Sequence, residues 1–362
     1  MNITEKQIVE SLKKVLYFPK ADNIIALGML HHLEITNNSI NITIAMPKAN
    51  DKHAKTVEIA TQNTLKSDFP EVLTNVKATY ITPKSIGGLG KVKNIIAVAS
   101  GKGGVGKSTV ATNLAIALAQ QGAKVGLLDA DIYGPSLPIM MGVEDSRPEA
   151  LEKDGKTFIV PIEKYGIKML SIGFFIDPNK ALMWRGSMAG NALQQLFNDA
   201  VWGELDYLIL DLPPGTGDIH LSLVQSVPVT AAVIVTTPQN VALADVRKAA
   251  DMFNNKAIKV PIIGVIENMS YFSPPELPDN KYYIFGKGGG KKVADELQTA
   301  LVGQIPIKEY IATGGDKGNP AVMDIESAMY RIFKSMTAQI MERINNRNQT
   351  LAPTKIVEIK TH

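Results

Sequence analysis

The chain of 362 residues is 45% hydrophobic, has a net charge of +3 and contains no cysteine, a composition typical of a protein with about two globular domains. Its Lys and Arg residues are scattered among 35 acidic residues, which does not predict nucleic-acid binding, and the missing cysteines exclude disulfides and thiolate-bound metals from this chain. No apolar run has the length of a membrane span and the first residues lack a signal-peptide pattern, so we expect a cytoplasmic protein with no membrane partner.

The first 82 residues predict a small α+β domain in which two amphipathic helices alternate with three strands. The predicted elements are a helix over 4–16, strands over 24–35 and 40–46, a helix over 51–66 and a strand over 72–81. The three histidines of this region, His31, His32 and His53, do not have the spacing of a metal motif. We therefore assign no chemistry to this domain.

The rest of the chain predicts an α/β fold with a mostly parallel, doubly wound sheet. Residues 83–93 contain breakers and charge without periodicity and are predicted to be a linker. From residue 94 to residue 347 apolar strands alternate with helical patterns, which is typical of a sheet covered by helices on both faces. The predicted strands are 94–99, 124–128, 207–210, 231–235, 262–266 and 301–305. Residues 348–362 are assigned to a C-terminal tail.

A glycine-rich stretch after the strand 94–99 fits the phosphate-binding pattern G-x-x-x-x-G-K-[ST]. Its residues are Gly101, Lys102, Gly103, Gly104, Val105, Gly106, Lys107, Ser108 and Thr109. An apolar helical pattern follows from Ser108 to Gln120, so strand, loop and helix occur in the order that a P-loop requires. In such a loop backbone N–H groups face an anion, Lys107 reaches the β- and γ-phosphates, and Ser108 binds Mg²⁺. The sequence therefore predicts a nucleotide-phosphate site.

Acidic residues end two of the predicted strands, at the edge of the sheet where ligands bind in this fold. Asp211 follows the strand 207–210 and fits the carboxylate that holds Mg²⁺ through water, together with Ser108. Asp129 and Asp131 follow the strand 124–128, and either can orient the attacking water; we favour Asp131. Asp218 is predicted to cap the next helix.

The loop resembles the deviant Walker A loop of the ATPases that include MinD, ParA and the nitrogenase iron protein, because Lys102 precedes Lys107. Within that class the chain resembles the Mrp/ApbC iron–sulfur cluster carriers over roughly its last three quarters. The matching stretches are residues 101–109, 129–136 (DADIYGPS), 184–186 (WRG), 202–218, 237–243 (TPQNVAL) and 267–270 (ENMS). Residues 1–82 resemble the small MIP18-like domain that precedes many bacterial Mrp proteins.

The resemblance implies a homodimer that binds and hydrolyses ATP with Mg²⁺ and delivers iron–sulfur clusters. It implies that Lys102 of one subunit reaches the phosphates bound by the other, which completes a catalytic set with Lys107 and Asp131. It also implies that Asn268 recognises adenine while the region around Pro306 closes over the base. The implied partners are apoproteins that receive a cluster or a scaffold that supplies one, and hydrolysis is expected to be slow and dimer-dependent.

The segment from Tyr271 to Asn280 departs from the family pattern, in which a Cys-x-x-Cys pair from each subunit bridges a cluster at the dimer interface. This chain has Ser273 and Glu276 there, and oxygen donors are poorly suited to iron–sulfur clusters. The segment Met46–Asn50, near the place where MIP18-like domains often have a cysteine, also lacks one. We therefore predict no iron–sulfur ligand in this chain and expect cluster binding only with thiolates from outside it.

Three functions from different classes stay open. The first, which we favour, is an ATPase that carries or inserts iron–sulfur clusters with external thiolates. The second is a MinD/ParA-like switch whose ATP-driven dimerisation controls binding to a surface; the end of the chain, which Pro353 interrupts, does not predict the amphipathic helix that a membrane would require. The third is a nucleotide-dependent adaptor for assembly that does not catalyse hydrolysis.

Overall fold

A computed structural model of the protein describes residues 3–36, 38–47, 51–80, 87–175, 186–255 and 258–352. The chain divides into two compact units, Met1–Ser85 and Ile86–His362. Several residues of the sequence predictions lie outside the described ranges: 48–50, residues 83–86 of the linker, Trp184, Arg185 and the tail from Pro353 onward. No helix within the described ranges is both long enough and apolar enough to cross a membrane.

The first unit is a three-stranded sheet with two helices on one face. Its elements are α1 (Glu5–Leu12), β1 (Leu16–Tyr17), β2 (Asp22–Asn23), β3 (Leu30–Ile35), β4 (Ser39–Met46), α2 (Ala54–Asp68) and β5 (Leu73–Tyr80), with a 3₁₀ helix at Phe18–Lys20. The sheet has the order β3-β4-β5, antiparallel in the first pair and parallel in the second. Alternate residues of β4, including Ile40 and Ile44, are buried with Leu12 of α1 and Leu65 of α2 in one core.

Two predicted elements of the first unit differ most from their bounds in the structure. Helix α1 begins after Thr4, which forms a capping box with Gln7, and it ends at Leu12 instead of residue 16. The predicted strand 24–35 is wrong in its first half, because residues 24–28 form turns and only Leu30–Ile35 is a strand. Ile24 and Met29 are nevertheless buried, so an apolar turn packed in the core produced the strand-like pattern.

The second unit is built on an eight-stranded sheet with the order β10-β11-β7-β12-β6-β13-β14-β15. Its strands are β6 (Val92–Ala99), β7 (Val125–Asp129), β10 (Ile162–Lys164), β11 (Ile167–Ser171), β12 (Leu205–Asp211), β13 (Ala231–Thr236), β14 (Ile262–Glu267) and β15 (Leu301–Gln304), beside a separate hairpin of β8 (Glu149–Lys153) and β9 (Lys156–Val160). Its helices are α3 (Lys107–Gln120), α4 (Leu137–Met140), α5 (Gly186–Asn198), α6 (Asp218–Ser226), α7 (Asn240–Asn254), α8 (Gly289–Glu296), α9 (Glu309–Asp316) and α10 (Ala328–Thr350), with 3₁₀ helices at Ile172–Phe175 and Ala321–Met323. Only the β10–β11 pair of this sheet is antiparallel. The predicted α/β fold with a mostly parallel sheet is confirmed.

Both faces of this sheet are buried, because successive residues of each strand enter two different hydrophobic cores. On one side Ile96 of β6 shares a core with Leu114 of α3 and Phe333 of α10. On the other side Ile95 shares a core with Phe253 of α7. Burying one such side chain contributes about 1.5–3 kcal/mol, so the two cores hold the sheet edge that forms the site in a fixed position.

The predicted strands of this unit are all present, whereas β8 to β11 were not predicted from the sequence and one predicted helix cap lies at a different residue. Helix α6 begins at Asp218 and its N-cap position is Gly217, so the prediction that Asp218 caps the helix is wrong by one residue. The missed strand β11 lies next to β7 and brings Ser171 opposite Asp129.

The carboxyl ends of three neighbouring strands form the edge at which the candidate residues meet. Asp129 ends β7 and Asp211 ends β12, and the two residues are register partners in this parallel pair. On its other side Asp211 is the partner of Val98 in β6, and the glycine-rich loop follows directly after β6. The topology therefore places both carboxylates beside the loop.

Candidate nucleotide-binding site

The glycine-rich loop turns sharply between β6 and α3. Gly104 and Gly106 have φ values of +79° and +78°, a left-handed conformation that glycine adopts without strain. Gly106 is the N-cap residue of α3, so the N-terminus of this helix opens onto the loop. A cavity of about 180 Å³ lies there, lined by Ser100, Lys102, Gly103, Gly104, Gly106, Lys107, Ser108, Thr109, Asp131, Ser136, Met140 and Pro214.

Two residues of the predicted loop have structural positions outside the cavity lining. Gly101 faces the backbone of α7, where an added Cβ would lie 2.2 Å from the carbonyl carbon of Asp245. Val105 is 2% exposed and belongs to the core on the α3 side of the sheet. These two residues fix the loop against its surroundings, and the others face the cavity.

Lys107 joins the predicted residues into one cluster at the base of the cavity. Its Nζ donates a hydrogen bond to Oδ1 of Asp211 at 2.6 Å and another to Oγ of Ser108 at 3.2 Å. The same ammonium lies 3.9 Å from Oδ2 of Asp131. Burial raises the pKa of the Asp211 carboxyl, and the ammonium of Lys107 opposes that rise. The structure thus places a nearly buried cation and a fully buried carboxylate in direct contact.

The second oxygen of Asp211 is available for a further ligand. Oδ2 is buried and has no hydrogen-bond partner among the described residues. An unpaired buried oxygen is costly, and carboxylate and hydroxyl oxygens are the ligands that Mg²⁺ prefers, directly or through water. Asp211 and Ser108 therefore fit a magnesium ion and its waters.

Asp131, favoured in the sequence analysis to orient water, lines the cavity. Its Oδ1 accepts hydrogen bonds from the backbone N–H groups of Tyr133 and Gly134, each at 3.2 Å, and its Oδ2 is the atom that faces Lys107. The carboxylate is thus held by its own loop while one oxygen stays directed toward the phosphate region.

Asp129, the alternative to Asp131, has a different position. It is fully buried, and its Oδ1 accepts the N–H of Asp131 at 3.1 Å. Its Oδ2 accepts the N–H of Leu137 at 3.2 Å and the hydroxyl of Ser171 at 3.0 Å. Burial, with a smaller contribution from the neighbouring Asp211, raises the pKa of Asp129 to about 7. Asp129 therefore holds both ends of the loop 131–137 and does not line the cavity.

Asn268 contacts the loop from the end of β14. Its Nδ2 donates a hydrogen bond to the Val105 carbonyl at 2.8 Å, and a Cβ at Gly106 would lie 2.2 Å from the same nitrogen. The preceding residue, Glu267, is fully buried and accepts hydrogen bonds from Gln304 and the backbone of Gly290. Asn268 therefore supports the glycine loop in this structure, and its recognition of adenine stays a prediction.

Lys102 lines the cavity and is half-buried. Within the described ranges its side chain has no ion-pair or hydrogen-bond partner, and only its backbone carbonyl accepts a bond, from the Ser100 hydroxyl at 3.0 Å. Its ammonium is thus not committed to a contact within the described part of its own subunit.

The segment that departs from the cluster-carrier pattern is closed by its own contacts. Ser273 is 6% exposed, and its carbonyl accepts a hydrogen bond from Nζ of Lys308. Phe272 and Tyr282 exchange two backbone hydrogen bonds, and Tyr271 packs edge to face on Tyr283. Within the described residues no group of three or more His, Asp or Glu side chains is placed to hold a metal ion. That a cluster binds here only with thiolates from outside the chain stays a prediction.

One buried polar residue was missed in the sequence analysis. His220, in the first turn of α6, is 2% exposed. Burial lowers the pKa of its imidazole below the usual value. The sequence gives no separate signal for it, because a histidine three residues into a helix pattern is ordinary.

A model of the ParA family, described as NUBPL iron-transfer P-loop NTPase, matches residues 91–341. The chain belongs to this family.

Two relatives named iron–sulfur cluster carrier protein support the assignment. The relative from Synechocystis is 43% identical over 329 residues, covering 89% of this chain and 93% of the relative. The relative from Escherichia coli K12 is 41% identical over 329 residues, covering 89% of this chain and 87% of the relative. Both matches are longer than the second unit, so they extend into the first.

Two solved structures are similar to the second unit in fold. A nucleotide-binding protein from Archaeoglobus fulgidus in complex with ADP is 37% identical and covers 68% of this chain and 93% of its own, with a TM-score of 0.58. MinD from Pyrococcus horikoshii, complexed with Mg-ADP, is 23% identical and covers 71% of this chain and 99% of its own, with a TM-score of 0.51, which shows a shared fold.

Lys107→Ala should destabilise the nucleotide-free protein as well as abolish ATP binding. It leaves the Asp211 carboxylate buried without its cation, a change that costs about 3–5 kcal/mol. Lys102→Ala is the matched control, because its side chain has no described partner and its loss should hardly change the unfolding free energy. Urea unfolding and ATP titration calorimetry measure the two effects. Equal stability of the two variants would contradict the buried pair, and micromolar ATP affinity in Lys107→Ala would contradict the P-loop assignment.

Asp129→Asn should change how stability depends on pH. The folded chain holds the Asp129 proton up to about pH 7, whereas its ordinary pKa is 3.8. Between these two values the unfolded chain releases this proton and the folded chain keeps it, so raising the pH lowers the free energy of unfolding of the wild type. Above the folded-state pKa this group causes no further decrease. The melting temperature of Asp129→Asn relative to wild type should rise from about pH 5 to about pH 7 and then level off.

Asp206→Asn is the control for this measurement. The hydrogen bond from Lys93 lowers the pKa of Asp206, so that carboxylate stays ionised across the same window and its variant should show a constant difference from wild type. A constant difference for Asp129→Asn as well would show that Asp129 does not titrate there.

Proposed function

We propose that this chain is an ATP-hydrolysing iron–sulfur cluster carrier that works as a homodimer, hydrolyses ATP slowly and delivers clusters to apoproteins with thiolates from outside the chain. The observation that supports it most is the cluster of Lys107, Ser108, Asp131 and Asp211 at one cavity, in a chain that matches named cluster carriers over 89% of its length. Membership of a P-loop NTPase family supports nucleotide hydrolysis in general. The homodimer, the slow rate and the external thiolates are our own proposals.

The cavity supplies the charges that phosphoryl transfer needs. Nucleotide phosphates at the N-terminus of α3 attract the Lys107 ammonium away from Asp211. The ammonium then compensates the negative charge on the β- and γ-phosphates. Ser108 and Asp211 would hold Mg²⁺ and its waters, and the ion when bound neutralises charge on the phosphate oxygens. In this proposal Asp131, which lines the same cavity, orients the attacking water.

A second copy of the chain completes the site in this proposal. Lys102 lines the cavity without a described partner, so its ammonium is available to the phosphates of a facing subunit. A cation that arrives from outside stabilises charge that develops in the transition state. This is the role an arginine finger has in other P-loop enzymes, and it makes hydrolysis depend on dimerisation.

The proposed carrier differs from one that binds a cluster with its own cysteines in the source of the cluster ligands. Iron–sulfur clusters normally have about four thiolate ligands, and a dimer of this chain supplies none. A client apoprotein, a scaffold or a small thiol must therefore provide them. The closed segment around Ser273 also favours a second candidate, a nucleotide-dependent adaptor that joins cluster donor and client without touching the cluster.

Lys102→Ala should bind Mg-ATP with unchanged affinity and hydrolyse it at least about tenfold more slowly, because its ammonium acts only in the transition state. Asp131→Ala should also bind ATP and fail to hydrolyse it. Mixing the two variants should restore part of the turnover, since one site of each heterodimer has both residues. The measurement is phosphate release after subunit exchange has been demonstrated by mass spectrometry. If exchange occurs without rescue, Lys102 does not act across the dimer.

Cluster binding should require an added thiol. Anaerobic reconstitution with iron and sulfide alone should give a protein without visible thiolate-to-iron absorption, whereas glutathione or a cysteine-bearing scaffold should give a bound cluster that transfers to an apo-ferredoxin. A cluster held tightly by the dimer alone would show that oxygen or nitrogen ligands suffice. No binding or transfer with any thiol, in a protein that still hydrolyses ATP, would favour the adaptor.

A further inference from the structure

Ser171 is a fully buried serine at the end of β11, and the hydrolysis proposed above assigns it no role. Its hydroxyl donates a hydrogen bond to Oδ2 of Asp129 at 3.0 Å and accepts one from the backbone N–H of Gly173 at 2.9 Å. These two contacts use the single hydroxyl hydrogen and one lone pair of the oxygen. The hydroxyl is therefore held in one orientation, directed at the Asp129 carboxylate.

The carboxylate that Ser171 contacts holds the loop 131–137 at both ends. Oδ2 of Asp129, the atom that accepts the Ser171 hydroxyl, also accepts the N–H of Leu137 at 3.2 Å. Oδ1 accepts the N–H of Asp131 at 3.1 Å. These two N–H groups move with the loop, whereas Ser171 belongs to a strand of the sheet. Ser171 therefore fixes the rotation of the carboxylate relative to the sheet.

The backbone after Ser171 contacts the middle of the same loop. A Cβ added to Gly173 would lie 3.0 Å from Cβ and 3.2 Å from Cγ of Pro135, so the Gly173 backbone packs directly against Pro135. The N–H of Gly173 is the group that donates to the Ser171 hydroxyl. One hydroxyl thus holds both the carboxylate at the ends of the loop and the backbone that packs against its middle.

Asp131 is the residue through which this arrangement reaches the nucleotide site. It lines the phosphate cavity, and its Oδ2 lies 3.9 Å from Nζ of Lys107. Its backbone N–H donates to Asp129, and its Oδ1 accepts the N–H groups of Tyr133 and Gly134, each at 3.2 Å. These hydrogen bonds join Asp131 to its own loop and to the Asp129 carboxylate. A displacement of the loop therefore moves the Asp131 carboxylate with it.

We propose that Ser171 is a positioning residue for ATP hydrolysis, which holds Asp131 in place through Asp129. The hydroxyl fixes the Asp129 carboxylate, the carboxylate fixes both ends of the loop 131–137, and the loop directs the Asp131 side chain into the cavity. The described lining of the cavity includes neither Ser171 nor Asp129, so the two residues act on the reaction and not on nucleotide binding. A small displacement of a group that orients the attacking water slows the reaction. The inference rests on the ATP hydrolysis proposed above.

Two variants separate the hydrogen bond from the space that the Ser171 side chain fills. Ser171→Ala removes the hydroxyl, so turnover of ATP should fall about tenfold while the affinity for Mg-ATP stays within about threefold of wild type. Ser171→Thr keeps a hydroxyl on the same carbon and suits a strand, so it should keep turnover within about threefold. Phosphate release and titration calorimetry measure the two quantities at pH 8, above the Asp129 pKa of about 7.

Three results of these measurements would overturn the inference. The first is unchanged turnover in Ser171→Ala. The second is a loss of Mg-ATP affinity in Ser171→Ala as large as its loss of turnover, because the residue would then act on binding. The third is an equal loss of turnover in a Ser171→Thr protein that melts like wild type, because the hydrogen bond would then not be the cause.

Ser11→Ala is the matched control for the loss of a buried serine hydroxyl. Ser11 of α1 is buried, and its hydroxyl donates to Oδ2 of Asp68 at 2.7 Å, a serine–aspartate bond of the same kind in the first unit. Its loss should lower the free energy of unfolding and leave ATP turnover unchanged. An equal fall in turnover in Ser11→Ala and Ser171→Ala would show that lost stability slows the reaction, and it would overturn the positioning role.

Hydrogen exchange followed by NMR tests the positioning without turnover. In the nucleotide-free protein, Ser171→Ala should speed exchange of the N–H groups of Asp131 and Leu137, which donate to Asp129, by about tenfold or more. The N–H groups of β13 should exchange as in wild type. Unchanged exchange at Asp131 and Leu137 would overturn the inference. Faster exchange there, in a protein whose wild type does not hydrolyse ATP, would support the positioning of the loop and overturn the proposed ATPase.

Discussion

The contact between the Lys107 ammonium and the Asp211 carboxylate is the interaction on which the site depends. Asp211 ends a strand that is buried on both faces, so water cannot solvate its charge, and Lys107 supplies the compensating cation at 2.6 Å. Isolated burial of either charge would cost several kcal/mol. When a nucleotide binds, its phosphate can replace Asp211 as the partner of Lys107, and a divalent cation can replace Lys107 as the partner of Asp211. Nucleotide binding then exchanges partners within the pair instead of burying new unpaired charge, which keeps a low-dielectric site accessible to a highly charged ligand.

Most of the sheet could be predicted from sequence, because parallel strands buried on both faces give uninterrupted apolar runs such as 94–99 and 231–235. The four strands that were not predicted form two hairpins, and the sequence feature that indicates a hairpin is the pair of residues in its turn. Asp154-Gly155 and Tyr165-Gly166 both have positive φ at two successive residues, the conformation of a tight hairpin turn. Asp-Gly is a recognised signal for such a turn and could have revealed β8 and β9; Tyr-Gly is weaker. The false strand at 24–29 arose because burial of an apolar turn is a tertiary effect that local patterns do not contain.

The site was predictable to the extent that its chemistry follows strand ends. The motif located Lys107 and Ser108, and the rule that ligands bind at carboxyl ends located Asp211 and Asp131. Spacing alone could not decide whether Asp129 or Asp131 lines the cavity, because residues two apart lie on the same face as long as the strand continues. The difference comes from Ser171, which the missed strand β11 places against Asp129. The burial of His220 could not be predicted from the sequence for the same reason, because it depends on tertiary packing.

The cysteine-free segment around Ser273 has a consequence for how such a protein would respond to oxidation. Disulfide exchange and oxidation to sulfenic acid act on cysteine thiolates, and this chain has none, so its 14 methionines are the sulfur atoms that peroxide can oxidise. In a carrier system built around it, thiol oxidation would fall on the donor or the client, and the nucleotide-binding component would be exposed only to methionine oxidation. The thiol-dependent redox sensitivity of cluster delivery would then belong to the partners, and the ATPase could resume work when partners with reduced thiols were supplied.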